Sequence, residues 1–311
     1  NGKSSVADFF YQILSFNKIS AGSIGTLGIV SKKHNKKTKL TSADPIFLHK
    51  NLQKLKKNKV NNVILEASSH GLEQKRLDNL NINLGIFTNL SHDHLDYHKN
   101  IQTYFNCKTY LFKKLLNKKS TIISDEDIKE FNVIKNIAKR RQLKIVSIGR
   151  IFGDIKILSN SYNKNLQIIN ILYKSKIYNL HVPLIGYFQI KNLLMAILAA
   201  SHCGVDVVKS LKQIEKIKPV PGRLELIAQL RNNSSIILDF AHTPEALKKS
   251  LIELKKQFKK KIIIVFGCGG DRDKTKRYKM GKIAQKYCRK IFVTDDNPRN
   301  ENPKKIRKNI L

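Results

Sequence analysis

The chain opens on Asn1-Gly2-Lys3-Ser4-Ser5, directly before the helix-forming run ADFFYQIL. Backbone N–H groups that follow a glycine and point into a helix N-terminus can cradle phosphate. A lysine there can reach the outer phosphate oxygens, and the hydroxyl after it can ligate Mg2+. Taken alone, so short a run can also be a ragged polar terminus. Glu66 and His94 each follow an apolar run, in NNVILEASS and NLGIFTNLSHDH, so both can face one crevice. A carboxylate and an imidazole suit a divalent ion near phosphate, and Mg2+ takes few protein ligands. A lone histidine is more often a satisfied core residue, but Asp93, His94, Asp96 and His98 form a dense cluster, which weakens that reading.

The elements that must position these groups alternate along the chain. NNVILEASS and NLGIFTNLS read as buried parallel strands ending in polar loops. DIKILSN, LQIINILY and SKIYNLHVP read as successive strands of an antiparallel insert, and YFQIKNLLMAILAASHCG as a helix stopped by Gly204. KPVPGR then breaks the pattern with two prolines and a glycine. After it come SSIILDF, a helix from Pro244, KKIIIVFG, a helix from about Lys274, and KIFVTDD. The expected fold is α/β, with two domains joined near residues 217–223, spanning 1–217 and 218–311. Ligands of open parallel sheets bind at the carboxyl ends of strands. At those ends stand EASSH, TNLSHDHLDYH, DFAHTP, GCGGDRDK and TDDNPR. Polar, titratable clusters after five apolar runs are expected of an enzyme and not of a structural protein.

The 311 residues are 41% hydrophobic, enough to bury more than one core. No stretch approaches the roughly 18 consecutive apolar residues of a membrane span. Cys107, Cys203, Cys268 and Cys288 show no paired metal spacing and read as reduced cytosolic thiols. The net charge of +36 invites a nucleic-acid reading. The lysines are spread from end to end, however, and no aromatic residues interleave them in a stacking pattern. The excess is read as compositional drift toward Lys, Asn and Ile, with no nucleic-acid partner expected.

Eight motifs, in order, carry a family resemblance: NGKSS, EASSHGLEQKRL, FTNLSHDHLDYH, YFNCKTYLF, PVPGRLE, LDFAHTPEAL, FGCGGDRDKTKR and VTDDNPR. Together they resemble the Mur ligases that add the third residue of the peptidoglycan stem peptide, the UDP-N-acetylmuramoyl-tripeptide synthetases. The resemblance spans almost the whole chain. It implies a central P-loop ATPase domain followed by part of a C-terminal Rossmann-like α/β domain. It also implies that a uridine-binding N-terminal domain, the first turn of the phosphate loop and the end of the last domain lie outside these residues.

The resemblance assigns roles by position. Gly2, Lys3, Ser4 and Ser5 would hold the phosphates, with Ser4, Glu66, His94 and a carbamylated Lys108 around Mg2+. Asn192 would lie on the adenine side, where the family's preceding Asn is Gln189 here. Arg223 would reach the γ-phosphate and Asp239 the ribose. Thr41, Ser42, Ser68, Gln74 and Arg76 would contact the UDP-muramoyl dipeptide. Leu40 stands where an Asn is usual, and His92 where an Arg is usual. Arg272, Asp296, Asn297, Pro298 and Arg299 would bind the incoming amino acid, with Arg299 favouring the distal carboxylate of meso-diaminopimelate over L-lysine. As alternatives, Arg299 caps its loop or pairs with Glu301.

The implied reaction is ATP-dependent amide formation through an acyl phosphate, by a cytoplasmic monomer acting on UDP-N-acetylmuramoyl-L-alanyl-D-glutamate and meso-diaminopimelate, with no membrane partner. Rival readings are an L-lysine-adding or other Mur ligase, a folylpolyglutamate-type ligase, and a non-catalytic basic P-loop nucleic-acid binder. DDNPR together with GGDRDK favours the third-residue ligases.

Overall fold

The computed structural model describes residues 2–38, 40–91, 95–163 and 165–311. Helix α1 (Lys3–Phe16) starts at once, because Gly2 takes the left-handed conformation at φ 88° and its carbonyl accepts the Val6 N–H. Its buried Val6, Phe9, Phe10, Ile13 and Leu14 recur at helical spacing and form one apolar stripe. Strands β1 (Ala21–Gly25), β2 (Gly28–Ser31) and β3 (Asn62–Leu65) make a sheet of order β2-β1-β3, with β1 and β3 parallel. Between β2 and β3 lies α2 (Pro45–Lys57), capped by the Asp44 side chain and started by Pro45.

The second sheet has six strands, β4 (Ile82–Phe87), β5 (Leu116–Asp125), β6 (Lys144–Gly149), β7 (Ile155–Asn163), β8 (Leu166–Tyr173) and β9 (Lys176–Val182), paired in that order. Pairing from β4 through β7 is parallel. From β7 to β9 it is antiparallel, as the three successive strand-like runs predict. These runs extend the main sheet rather than standing apart, because Ile148 and Gly149 of β6 pair with the start of β7. Four helices lie along β3–β6: α3 (Ser69–Glu73), α4 (Leu95–His98), α5 (Ile101–Tyr110) and α6 (Phe131–Arg140). A π-helical turn, Leu111–Leu115, joins α5 to β5.

Helix α7 (Tyr187–Ser201) is buried almost all round, from Gln189 to Ala200, and packs on α1 within the core that also takes in the six-stranded sheet. The sequence places its stop at Gly204, three residues past the observed end, where Gly204 takes φ 84°. Helix α8 (Val207–Lys212) follows. Beyond the linker, β10 (Glu225–Gln229) and β11 (Ser235–Leu238) form a hairpin, and β12 (Ile263–Phe266) and β13 (Lys290–Val293) pair in parallel. Helices α9 (Pro244–Phe258), α10 (Thr275–Tyr287) and α11 (Pro303–Ile310) pack with β12 and β13 around a small core of Leu247, Leu251, Cys268, Met280, Ile306 and Ile310. No helix among the described residues is long and apolar enough to cross a membrane.

Candidate functional site

Glu66 follows β3 and is only 4% exposed. A buried carboxylate needs donors, and it has them from two elements. The Ser4 hydroxyl, at the second residue of α1, donates to Oε2 at 2.9 Å. After β1, the Thr26 N–H donates to Oε1 at 2.7 Å and the Thr26 hydroxyl to Oε2 at 3.2 Å. Gly25 makes room: a Cβ there would stand 2.1 Å from Glu66 Oε1. Ser5 is buried beside Ser4, and Lys3 lies half-exposed at the first position of α1.

Arg223 enters from the linker, its guanidinium donating to the Ser4 hydroxyl at 3.4 Å and stacking 4.6 Å over the Phe240 ring. Burial pulls its pKa below the ordinary arginine value, while Asp239 and Glu66 act in the other direction. Asp239 is half-buried and its carboxyl is pushed up by desolvation, against the pull of Ser250, the Leu224 N–H and Arg223. Both its oxygens accept from the protein, from Leu224 N at 3.2 Å and Ser250 Oγ at 2.5 Å, so in this conformation Asp239 holds the linker.

Asn192 and Gln189 complete this side. Asn192 donates to Gln189 Oε1 at 3.0 Å, and Gln189 donates to the Arg223 carbonyl at 3.1 Å. A Cβ on Gly2 would meet Asn192 Oδ1 at 2.6 Å, so the loop and α7 touch at this point. The helix start, Asn192, Gln189 and Arg223 therefore form one connected cluster.

Lys108 projects from α5, donates to the Asn89 carbonyl at 2.9 Å, and lies 4.8 Å from the Tyr104 ring centroid and 5.6 Å from that of Phe87. His92, Asp93 and His94, and the side chain of Asp96, lie outside the described residues, so the expected His94 ligand is not placed. His98 is 1% exposed, stacks on Tyr104 at 5.2 Å, and sits with Nδ1 3.7 Å from Glu73 Oε2.

Of the residues expected at the muramoyl dipeptide, Thr41 meets Thr26 hydroxyl to hydroxyl at 3.0 Å, next to Glu66. Ser42 is buried and donates to the Glu66 carbonyl at 2.8 Å while accepting the Ser68 N–H at 2.8 Å. The Ser68 side chain caps α3 through Gly71 N at 3.1 Å. Arg76 donates to the Ser42 carbonyl at 2.7 Å and to Gln74. Ser42 and Ser68 thus support the Glu66 strand end, whereas Gln74 is exposed.

The loops after β12 and β13 bring Asp296, Asn297, Pro298 and Arg299 against the glycines. Gly270 N donates to Asn297 O at 2.9 Å, and a Cβ on Gly270 would lie 1.8 Å from Pro298 O. Only glycine permits that approach. Arg299, at φ 48°, donates to Gly270 O at 2.6 Å, and Arg272 is exposed nearby in sequence. Glu301 does not pair with Arg299. It forms a forked ion pair with the buried Arg277, at 2.8 and 3.0 Å.

The sequence model of the Mur ligase middle domain matches residues 1–200, and that of the Mur ligase glutamate ligase domain matches residues 222–311. The chain belongs to the Mur ligase family. It is 40% identical over 317 aligned residues to the UDP-N-acetylmuramoyl-L-alanyl-D-glutamate--2,6-diaminopimelate ligase of Rickettsia bellii, an alignment covering all of this chain and 66% of that protein. A solved structure of a ligase of that name is 30% identical, with a TM-score of 0.75, over 100% of this chain and 63% of its own. The fold extends to the MurF ligase of Thermotoga maritima in complex with ADP, at 17% identity and a TM-score of 0.69 over 95% of this chain and 69% of that one. The chain therefore spans just under two thirds of the length of its curated relatives.

Within this cluster of the Mur ligase chain, Thr26 and Gln189 are what reading the sequence missed as contributors. Thr26 stands directly after β1, so the strand-end rule that singled out Glu66 could have found it. Gln189 was noted only as a departure from the family's Asn, yet its longer amide reaches the Arg223 backbone. The Ser4 hydroxyl and the Glu66 carboxylate are hard oxygen donors brought together beside a helix start, which fits Mg2+.

Proposed function

We propose that this Mur ligase chain belongs to an ATP-dependent enzyme adding meso-diaminopimelate to UDP-N-acetylmuramoyl-L-alanyl-D-glutamate. The observation that carries this is the convergence of Ser4, Glu66 and Arg223, from three distant segments, at the start of α1. The identity to ligases of that name, across the whole chain, supports the choice of substrates.

On this reading the N-terminal N–H groups of α1 and the Lys3 ammonium hold the ATP phosphates. Ser4, Glu66, His94 and a carbamylated Lys108 would hold Mg2+, which neutralises phosphate charge when bound. Asn192 lies on the adenine side. The dipeptide's terminal carboxylate oxygen forms a bond to the γ-phosphorus as the bond to the ADP oxygen breaks, giving an acyl phosphate and ADP. Arg223 stabilises charge on the transferring group. The amine of diaminopimelate then attacks the acyl carbon, loses a proton and expels phosphate. Thr41, Ser68, Gln74 and Arg76 orient the dipeptide, and Arg272, Asp296, Asn297 and Arg299 the amino acid. The two substrates are met in the cytoplasm, and the enzyme works as a monomer.

The test is phosphate release by the complete gene product with ATP and Mg2+. Release should require both the UDP-muramoyl dipeptide and diaminopimelate, and Lys3→Ala should abolish it. Release indifferent to the dipeptide sinks the function, and near-normal turnover of Lys3→Ala sinks the phosphate-loop assignment.

A further inference from the structure

Apart from the Ser4–Glu66 pair, a group of side chains of metal-ligating types gathers where three helices meet. Glu73 ends α3, His98 ends α4, and Cys107 lies on α5. One donor atom from each lies within 4.8 Å of the other two, and His98 Nδ1 is 3.7 Å from Glu73 Oε2. Tetrahedral Zn2+, with bonds of about 2.0–2.3 Å, sets its ligand atoms roughly 3.4–3.7 Å apart. The imidazole and carboxylate already stand near that separation.

The surroundings decide which parts can move. The His98 ring is fixed, 1% exposed and held by Tyr104, Tyr97 and His70. The Glu73 side chain is 43% exposed and is free to swing. Cys107 Sγ points toward α3, where it donates to the Ser69 carbonyl at 3.0 Å. Its neighbour Lys108 turns to the Asn89 carbonyl instead. The two groups share no residue, and their chemistry differs. A set dominated by oxygen donors suits Mg2+, whereas a thiolate with an imidazole and a carboxylate selects Zn2+ or Co2+.

We propose that Glu73, His98 and Cys107 form a three-ligand site for a borderline-soft divalent metal of the Zn2+ type, with water in the fourth position. Binding replaces the thiol proton with the metal, releases that proton to solvent and leaves the oxidation state of sulfur unchanged. It closes the gap chiefly by moving the Glu73 carboxylate. The bound ion ties α3, whose following residues include Gln74 and Arg76, to the helix that carries Lys108.

Co2+ is the probe, titrated into the reduced protein in the presence of excess Mg2+. The expected result is a near-ultraviolet sulfur-to-cobalt band and visible tetrahedral bands that saturate together and are bleached by Zn2+. Cys107→Ala should remove the charge-transfer band, and Glu73→Gln should weaken binding by at least about ten-fold. Cys203→Ala should leave both unchanged. Zn2+ should raise the melting temperature of the wild type but not of Cys107→Ala. Absence of the band in the wild type, or unchanged binding in Cys107→Ala or in Glu73→Gln, overturns the site. This readout does not depend on ligase activity, so it stands or falls separately from the proposed function.

Discussion

Glu253 of α9 accepts a hydrogen bond from the backbone N–H of Tyr187 at 2.6 Å, capping α7 from the far side of the linker. Gln257, one turn on, accepts the Gly186 N–H at 3.2 Å, and the Tyr162 hydroxyl donates to the same Glu253 oxygen at 3.2 Å. Helix α7 has no capping side chain of its own. A carboxylate at a helix N-terminus meets both unsatisfied N–H groups and the positive end of the dipole. The helix that carries Asn192 is therefore tied to the orientation of α9.

Glu253→Ala strands a backbone donor and removes a charged acceptor. Stability should fall by about 1.5–3 kcal/mol, the range for hydrogen bonds to charged groups. Tyr162→Phe removes a single, longer bond to the same carboxylate and leaves the α7 cap in place, so it should cost less, about 1.5 kcal/mol at the bottom of that range. Chemical denaturation of both variants checks this, and equal losses would show that Glu253 does not cap α7.

Lys108 sits on α5, with its ammonium among Asn89 O, Phe87 and Tyr104. An ammonium repels Mg2+, whereas its CO2 adduct is an anionic ligand. Mass spectrometry of the nucleotide- and Mg2+-bound protein should find one added CO2 on Lys108. Lys108→Ala should lose most ligation and regain part of it with a short carboxylic acid. Full activity in Lys108→Ala rules the carbamate out.

Arg299 is not consumed by Glu301, which is paired with Arg277; its Nη1 holds the Gly270 carbonyl, as the loop-capping alternative expects, and a substrate carboxylate would have to be met by the rest of the guanidinium. Lysine lacks the distal carboxylate. Leaving a charged partner unpaired costs on the order of 2–5 kcal/mol, enough for a large preference. The wild type should use diaminopimelate far better than L-lysine, and Arg299→Ala should erase most of that difference. Equal use of both amino acids by the wild type, or an unchanged preference in the variant, defeats the assignment.

The Arg277–Glu301 pair predicts a pH dependence. The hydrogen bonds and charge of Arg277 hold the Glu301 carboxyl down to about 2, from 4.5. A depressed folded pKa adds stability that is complete above the unfolded value and fades as pH falls toward the folded one. The melting temperature of the wild type should exceed that of Glu301→Gln by a constant amount from neutral pH to about 5. The difference should shrink between about pH 4.5 and 2. A difference that persists undiminished at low pH would show that the ion pair is not its source.

What the sequence determined by itself rests on short-range chemistry. The 6, 9, 10, 13, 14 spacing makes α1 an amphipathic helix wherever it packs. Pro244 marks a helix start that the structure reproduces. The apolar runs with polar ends told where a site could lie, and eight motifs in order told the family. Tertiary structure alone decided which groups meet. Ser4 finds Glu66 across 62 residues and Arg223 across 219, and no local pattern encodes a pairing of that length. Thr26, Gln189 and Glu253 look ordinary in the sequence because their partners are backbone groups or buried side chains brought near only by packing. The meander β7–β9 shows the same division. Its antiparallel order follows from short turns between apolar runs, but its parallel attachment to β6 depends on a core built from both α1 and α7.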